Sequence, residues 1–92
     1  GVSGKVASSM ANLMKEMTEG NQHQVITITH LPQIASCGTT HYWVYKEDTE
    51  EQTFSHIREL TNEERVTEIA HMLSGNEISE AAILNAKQLL KQ

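Results

Sequence analysis

The chain is short of the residues that lock small folds together by covalent or conformational constraint. One cysteine, Cys37, and one proline, Pro32, stand among 92 residues. A lone thiol excludes an intramolecular disulfide framework, so packing must hold the fold, and the usage suits a reducing compartment. With so little proline and only five glycines there is no linker, no repeat and no low-complexity tract, which leaves one domain at most. Positive charge is also scarce. Seven Lys/Arg against twelve Asp/Glu give a net charge of −5, and a surface that neutralises phosphates needs clustered cations, so a polyanion-gripping face is not expected. No apolar run approaches the roughly 18–20 residues that cross a bilayer. No basic stretch leads into an apolar one, so no secretory signal is visible. The initiating Met is absent too, and the opening GVSG reads as the start of a piece of something longer.

What is present is an ordinary globular composition, 38% hydrophobic and 21% charged. A chain of this length buries about 60–65% of its unfolded surface, enough for a modest core. Val6, Met10, Leu13, Met14 and Met17 form one stripe of a 3.6-residue period, which predicts a helix from about Ser3, its N-cap, to Glu19. Gly20-Asn21 is its stop, and the methionine-rich stripe is expected to pack into the core. Residues 24–30 (QVITITH) are a strong β run with no strongly polar face, the pattern of an interior strand in a parallel sheet covered on both sides. Pro32 then starts a short helical turn through Ile34-Ala35, ended by Gly38.

Residues 41–46 (HYWVYK) and 53–60 (TFSHIREL) are separated by an acidic turn, residues 47–51, and read as an antiparallel hairpin with a solvated tip. Thr61 and Glu64 make a capping box for a helix whose buried stripe is Val66, Ile69, Ala70 and Leu73 and whose end is Gly75. Ser79 caps a last helix, with Ile78 and Ile83 placed as a staple and Ala82, Ile83, Ala86, Leu89 and Leu90 facing inward. The fold class is α/β and the expected order is α-β-α-β-β-α-α. This order carries a difficulty: an interior strand needs neighbours, and only the hairpin is available to it here. Further strands are therefore expected upstream, and the isolated chain is expected to be marginal or to associate through that edge.

Common catalytic fingerprints are missing, with no GxxxxGK(S/T) phosphate loop, no GxGxxG, no GxSxG and no HExxH. Cys37 and His41 stand close in sequence, but one Cys with scattered His23, His30, His56 and His71 is not a zinc pattern, and no metal ligand set is assigned. No local signature supports a thiol enzyme built on Cys37. One histidine stands apart. His30 closes the apolar run just before a turn, and in open α/β sheets ligands gather beyond the carboxyl ends of strands. An imidazole there can bond a phosphate or orient a water; the alternative is a strand-end side chain that caps backbone groups.

Residues 1–4 (GVSG) opening a helix, 28–35 (ITHLPQIA), 41–44 (HYWV), 64–75 (ERVTEIAHMLSG) and 85–90 (NAKQLL) together resemble the C-terminal part of the RecN family of bacterial DNA repair proteins. The likeness runs over essentially the whole chain, with its segments in the family's order. It implies a P-loop, ABC-type and SMC-like ATPase head, of which residues 1–92 are a single partial domain, the C-terminal lobe. It implies that Gly1, Val2, Ser3 and Gly4 belong to the D-loop, which lies across the interface with a second head near that head's phosphate loop. His30 is then the H-loop, or switch, histidine, which contacts the γ-phosphate of ATP and helps hold the attacking water. Leu31, Pro32 and Gln33 shape that loop. Phosphoryl transfer relies on positioning and charge stabilisation, which an imidazole at a strand end can supply.

The departures from the family's full pattern are as informative. Its phosphate loop, Q-loop, coiled-coil arms, signature motif and Walker B acids all precede Gly1. The longer parent is therefore expected to be an ATPase using ATP and Mg in double-strand-break repair and recombination. This chain alone is expected neither to bind nucleotide tightly nor to hydrolyse it. Expected partners are the rest of the head, a second head copy in a homodimer, and DNA through the parent but not through this acidic segment, with no membrane and a cytoplasmic, nucleoid-associated location. The alternative from a different class is a non-enzymatic α/β interaction module that docks through its exposed sheet edge. A third reading, the same piece of another SMC-like ATPase, changes the pathway and keeps the chemistry.

Overall fold

In the computed structural model, which describes residues 4–21 and 23–91, the centre of the molecule is a pair of C-terminal helices. Helix α3 spans Asn62–Ser74 and α4 spans Glu80–Leu90. Both start where the sequence places a cap. The Thr61 hydroxyl accepts from the Glu64 N–H at 3.2 Å while the Thr61 N–H donates to Glu64 Oε1 at 3.0 Å. Ser79 Oγ accepts from the Ala82 N–H at 3.0 Å. Each cap contributes on the order of 1 kcal/mol by giving first-turn N–H groups a partner. Gly75 ends α3 at φ 79°, a left-handed value that side chains adopt only with strain. The two helices approach closely because their contact is mostly alanine. Ala70, Ala82 and Ala86 are buried around Ile69, which is wholly buried. Val66, Met72, Leu73, Ile78, Ile83, Leu89 and Leu90 pack around this cluster. Covering Ile69 contributes about 1.5–3 kcal/mol.

Helix α1, Gly4–Thr18, continues into a 3-10 turn, Glu19–Asn21, in which Gly20 takes φ 75°. The single helical turn α2, Pro32–Ala35, lies between α1 and the α3–α4 pair and packs on all three. Here the structure corrects the sequence reading. Helix α1 buries Ala7 and Ala11, not its methionine stripe. Val6, Met10, Leu13 and Met17 are exposed, and only Met14 of the stripe is half-buried. The small alanine face lets α1 approach α2, and no other element among the described residues covers the stripe. The expected N-cap, Ser3, lies outside the described residues.

The sheet has two strands, β1 (Tyr42–Asp48) and β2 (Thr53–Glu59), antiparallel with Trp43 opposite Arg58 and Tyr45 opposite His56. One face carries stacked rings, though Trp43 and Phe54 on it remain exposed. Trp43 stacks on Tyr45 with centroids 4.6 Å apart, Tyr45 stacks on His56 at 5.1 Å, and the Arg58 guanidinium lies 5.7 Å from the Trp43 ring. The other face leaves Tyr42, Val44 and Ile57 exposed. The acidic tip is solvated and closed by Thr49, which donates to the Gln52 carbonyl and accepts from its N–H. The hairpin stands away from the helices. It is tied at its base by the Leu60 N–H on the His41 carbonyl at 2.8 Å and by Arg58 on Glu64 at 2.6 Å.

Residues 23–29, by contrast, run extended without joining a ladder, so the element order among the described residues is α-α-β-β-α-α and not α-β-α-β-β-α-α. Ile26 is 84% and Ile28 101% exposed. A ladder needs an edge to bond to, and the one sheet among the described residues pairs only the two hairpin strands with each other. No helix among the described residues is long and apolar enough to cross a membrane.

Candidate functional site

The extended segment ends in a turn whose backbone is fixed at both ends. On the entry side, Thr29 Oγ1 accepts the Leu31 N–H at 3.0 Å, a local side-chain bond that bends the chain around His30. Leu31 is extended (φ −97°, ψ 119°), as a residue before proline must be, and Pro32 opens α2 at a position that has no use for an N–H. The Leu31 carbonyl then takes the N–H groups of Ile34 and Ala35 at 3.1 and 3.0 Å, and Pro32 takes that of Ser36 at 3.0 Å. Ile34 and Ser36 are buried, so the turn is seated by its far side. His30 is left exposed at its head, with no hydrogen bond or ion pair to another described residue.

Of the residues expected at a D-loop, Gly1, Val2 and Ser3 lie outside the described residues. Gly4 begins α1 and sits directly against α2. A Cβ on Gly4 would stand 3.3 Å from Gln33 Nε2, tighter than ordinary van der Waals contact. The head of α1 therefore lies against the side chain of Gln33, in the turn that follows His30. A small cleft of about 100 Å³ opens on the same seam, between Ser8 and Asn12 of α1 and Gln33, Ser36 and Cys37.

On the exit side the turn is held by a residue that the sequence reading passed over. Arg65, in the first turn of α3, sends Nη2 back to the Gly38 carbonyl at 2.8 Å and, more weakly, to that of Ala35 at 3.4 Å. Burial lowers the pKa of this guanidinium, and its Nε is buried without a partner. His41 lies in the same junction with Nδ1 buried and unpartnered. Its pKa is lowered first by burial and then by Arg65, against an opposing pull from Glu68. The one available signal for Arg65 was its place beside the apolar stripe, immediately before Val66 and four residues ahead of Ile69.

A wider, open groove of about 320 Å³ lies on the other flank of Arg65, lined also by Asn62, Val66, Lys87, Leu90 and Lys91. No group of three or more His, Cys, Asp or Glu side chains that could hold a metal ion occurs among the described residues. Among the described residues the site is thus one exposed imidazole on a braced turn. That suits a single hydrogen bond to an oxygen and cannot by itself enclose a cation.

No protein-family model matches the chain. Curated relatives match it along its whole length. The DNA repair protein RecN of Bacillus subtilis is 39% identical over 92 residues, covering 100% of this chain. RecN of Vibrio cholerae is 37% identical and RecN of Deinococcus radiodurans 43% identical, each over 90 residues and 98% of this chain. The chain spans 16% of the length of the first two relatives and 15% of the third.

Proposed function

We propose that this chain, whose sequence matches the C-terminal part of the RecN family of DNA repair proteins from end to end, is the closing lobe of an ABC-type ATPase head and carries its switch histidine, His30. The observation that carries the reading is the setting of His30: a polar, titratable side chain, exposed at the head of a turn braced on both sides. A strand-end histidine that served only to cap backbone would be bonded to it, and no such bond occurs among the described residues.

In this reading residues 1–92 are one partial domain. Residues 25–29 form an interior strand of a parallel sheet once upstream strands are present, which accounts for the extended, unpaired Ile26 and Ile28. Gly1, Val2, Ser3 and Gly4 form the D-loop and face a second copy of the head, and the close seat of Gly4 on Gln33 links that loop to the turn of His30. ATP, held with Mg by the rest of the head, supplies the transferable γ-phosphoryl group. The part left to this chain is to hold an imidazole N–H or lone pair at a phosphate oxygen or at the water aligned for attack. It contains neither a phosphate-loop lysine nor a Walker B glutamate, so it binds nucleotide weakly and does not turn it over alone. The parent acts on DNA in double-strand-break repair and recombination, in the bacterial cytoplasm, and this acidic segment is not its DNA-gripping surface.

The test compares Mg-dependent ATP hydrolysis by the full-length protein and by the purified 92-residue chain. Turnover by the former and none by the latter is expected. Turnover by the short chain that His30→Ala abolishes would overturn the partial-domain reading, and an inactive full-length protein would overturn the ATPase reading. The gene upstream of Gly1 should encode an Asp-Glu pair within a few residues and a phosphate loop much further upstream.

A further inference from the structure

We infer that Arg65 is the positioning residue of this site: by pinning the 35–38 backbone to α3, it fixes the turn at whose head His30 stands. The inference rests on the reading of His30 given above. A four-residue helix cannot hold its own shape, because nucleating a single turn costs more order than its few hydrogen bonds return. Something outside α2 must therefore fix it. Its last carbonyls and those of the following turn are the groups that a short helix leaves unsatisfied. Ala35 and Gly38 carry two of them, and both accept from one Arg65 nitrogen.

The other end of this brace is equally firm. Arg65 donates its own N–H to Thr61 at 2.9 Å, the first helical bond after the capping box, and α3 is anchored through Ile69 and Ala70 in the core. A continuous path therefore runs from the α3–α4 core through the guanidinium to the turn, and from the turn to His30. Nothing in packing requires a charge at this point. A methionine of similar length would fill the same space without leaving a buried, partnerless Nε. The cost of burying the guanidinium is offset by what a fork of donors does and an apolar chain cannot, which is to set the backbone of the 35–38 turn against α3.

Steady-state ATP hydrolysis, nucleotide binding and thermal melting of the full-length protein test this in wild type, Arg65→Met, Arg65→Lys, His30→Ala and the double variant His30→Ala/Arg65→Met. Misplacing a reacting-site group from a distance lowers turnover by roughly ten- to a hundredfold. That loss is expected in kcat for Arg65→Met, with nucleotide affinity and the melting midpoint close to wild type. Arg65→Lys, one donor in place of a fork, should recover part of it. Because Arg65 acts through His30, the double variant should be no slower than His30→Ala alone. Wild-type kcat in Arg65→Met, or a double variant slowed by the full product of both factors, would overturn the assignment. Should Arg65→Met fail to fold, Arg65→Lys takes its place in the double variant with the same criteria. Wild-type turnover in His30→Ala, with Arg65→Met slow, would instead overturn the reading of His30 and with it any action of Arg65 through that residue.

Discussion

Glu64 does two jobs with one carboxylate. Oε1 closes the capping box on the Thr61 N–H, and Oε2 takes Arg58 from the hairpin. These contacts hold its pKa below the usual value, the Thr61 backbone bond being the larger cause. The pKa of His41, at the other end of the same junction, is lowered chiefly by burial. Both shifts act in one direction. Well above the ordinary value of 6.5 the His41 ring is neutral whether the chain is folded or not, and its neutral seat contributes fully. As pH falls below that value the unfolded chain gains a proton that the folded one refuses, so stability is lost until the folded pKa is passed. Glu64 adds a further loss at lower pH, as its folded pKa is approached from above. Native-state hydrogen exchange of the α3 amides in the full-length protein should therefore show weaker protection at about pH 5.5 than at about pH 7.5, after correction for intrinsic rates. The His41→Gln variant should flatten that difference. An unchanged slope in the variant would show that His41 does not titrate against the fold.

At the scale of elements, the legible parts were those whose cause is local. Thr61 with Glu64, Ser79, Gly20 and Gly75 each declare a helix boundary through their own backbone chemistry, and the structure has a boundary at each. The hairpin was readable for the same reason, two β-branched and aromatic runs around a polar tip. Periodicity failed where the answer depends on a partner. The stripe of α1 and the run at 25–29 both state which side chains seek cover, and neither states what covers them. Among the described residues most of the stripe is exposed and the run pairs with no strand. Arg65 was illegible for a third reason: its partners, Ala35 and Gly38, lie 30 and 27 residues away, and no local pattern announces a side chain that reaches backbone at that distance. If 25–29 is an interior strand of the larger head, its amides should exchange within seconds to minutes in the isolated chain and be strongly protected in the full-length protein. Equal, fast exchange in both would contradict that placement.

The described residues form a small alanine-centred helix pair with a short helix seated on it, a hairpin held at its base, and apolar side chains left uncovered on α1, on 25–29 and on both hairpin faces. Such a surface is what the proposed head would have to cover. Sedimentation of the isolated chain should show concentration-dependent association, with broad melting; a stable monomer with a cooperative transition would contradict the expectation. The net charge of −5 leaves the segment short of the clustered cations that a phosphate-gripping surface needs. The central claim is that the chain lends His30 to ATP turnover while its fold rests elsewhere. It is tested most directly by measuring kcat and the melting midpoint on the same preparation of full-length His30→Ala. The expected result is a fall in kcat of about a hundredfold or more, with a midpoint within about a degree of wild type, because an exposed side chain contributes little to stability. A variant that keeps wild-type turnover, or that loses activity only in proportion to its loss of folded protein, would contradict it.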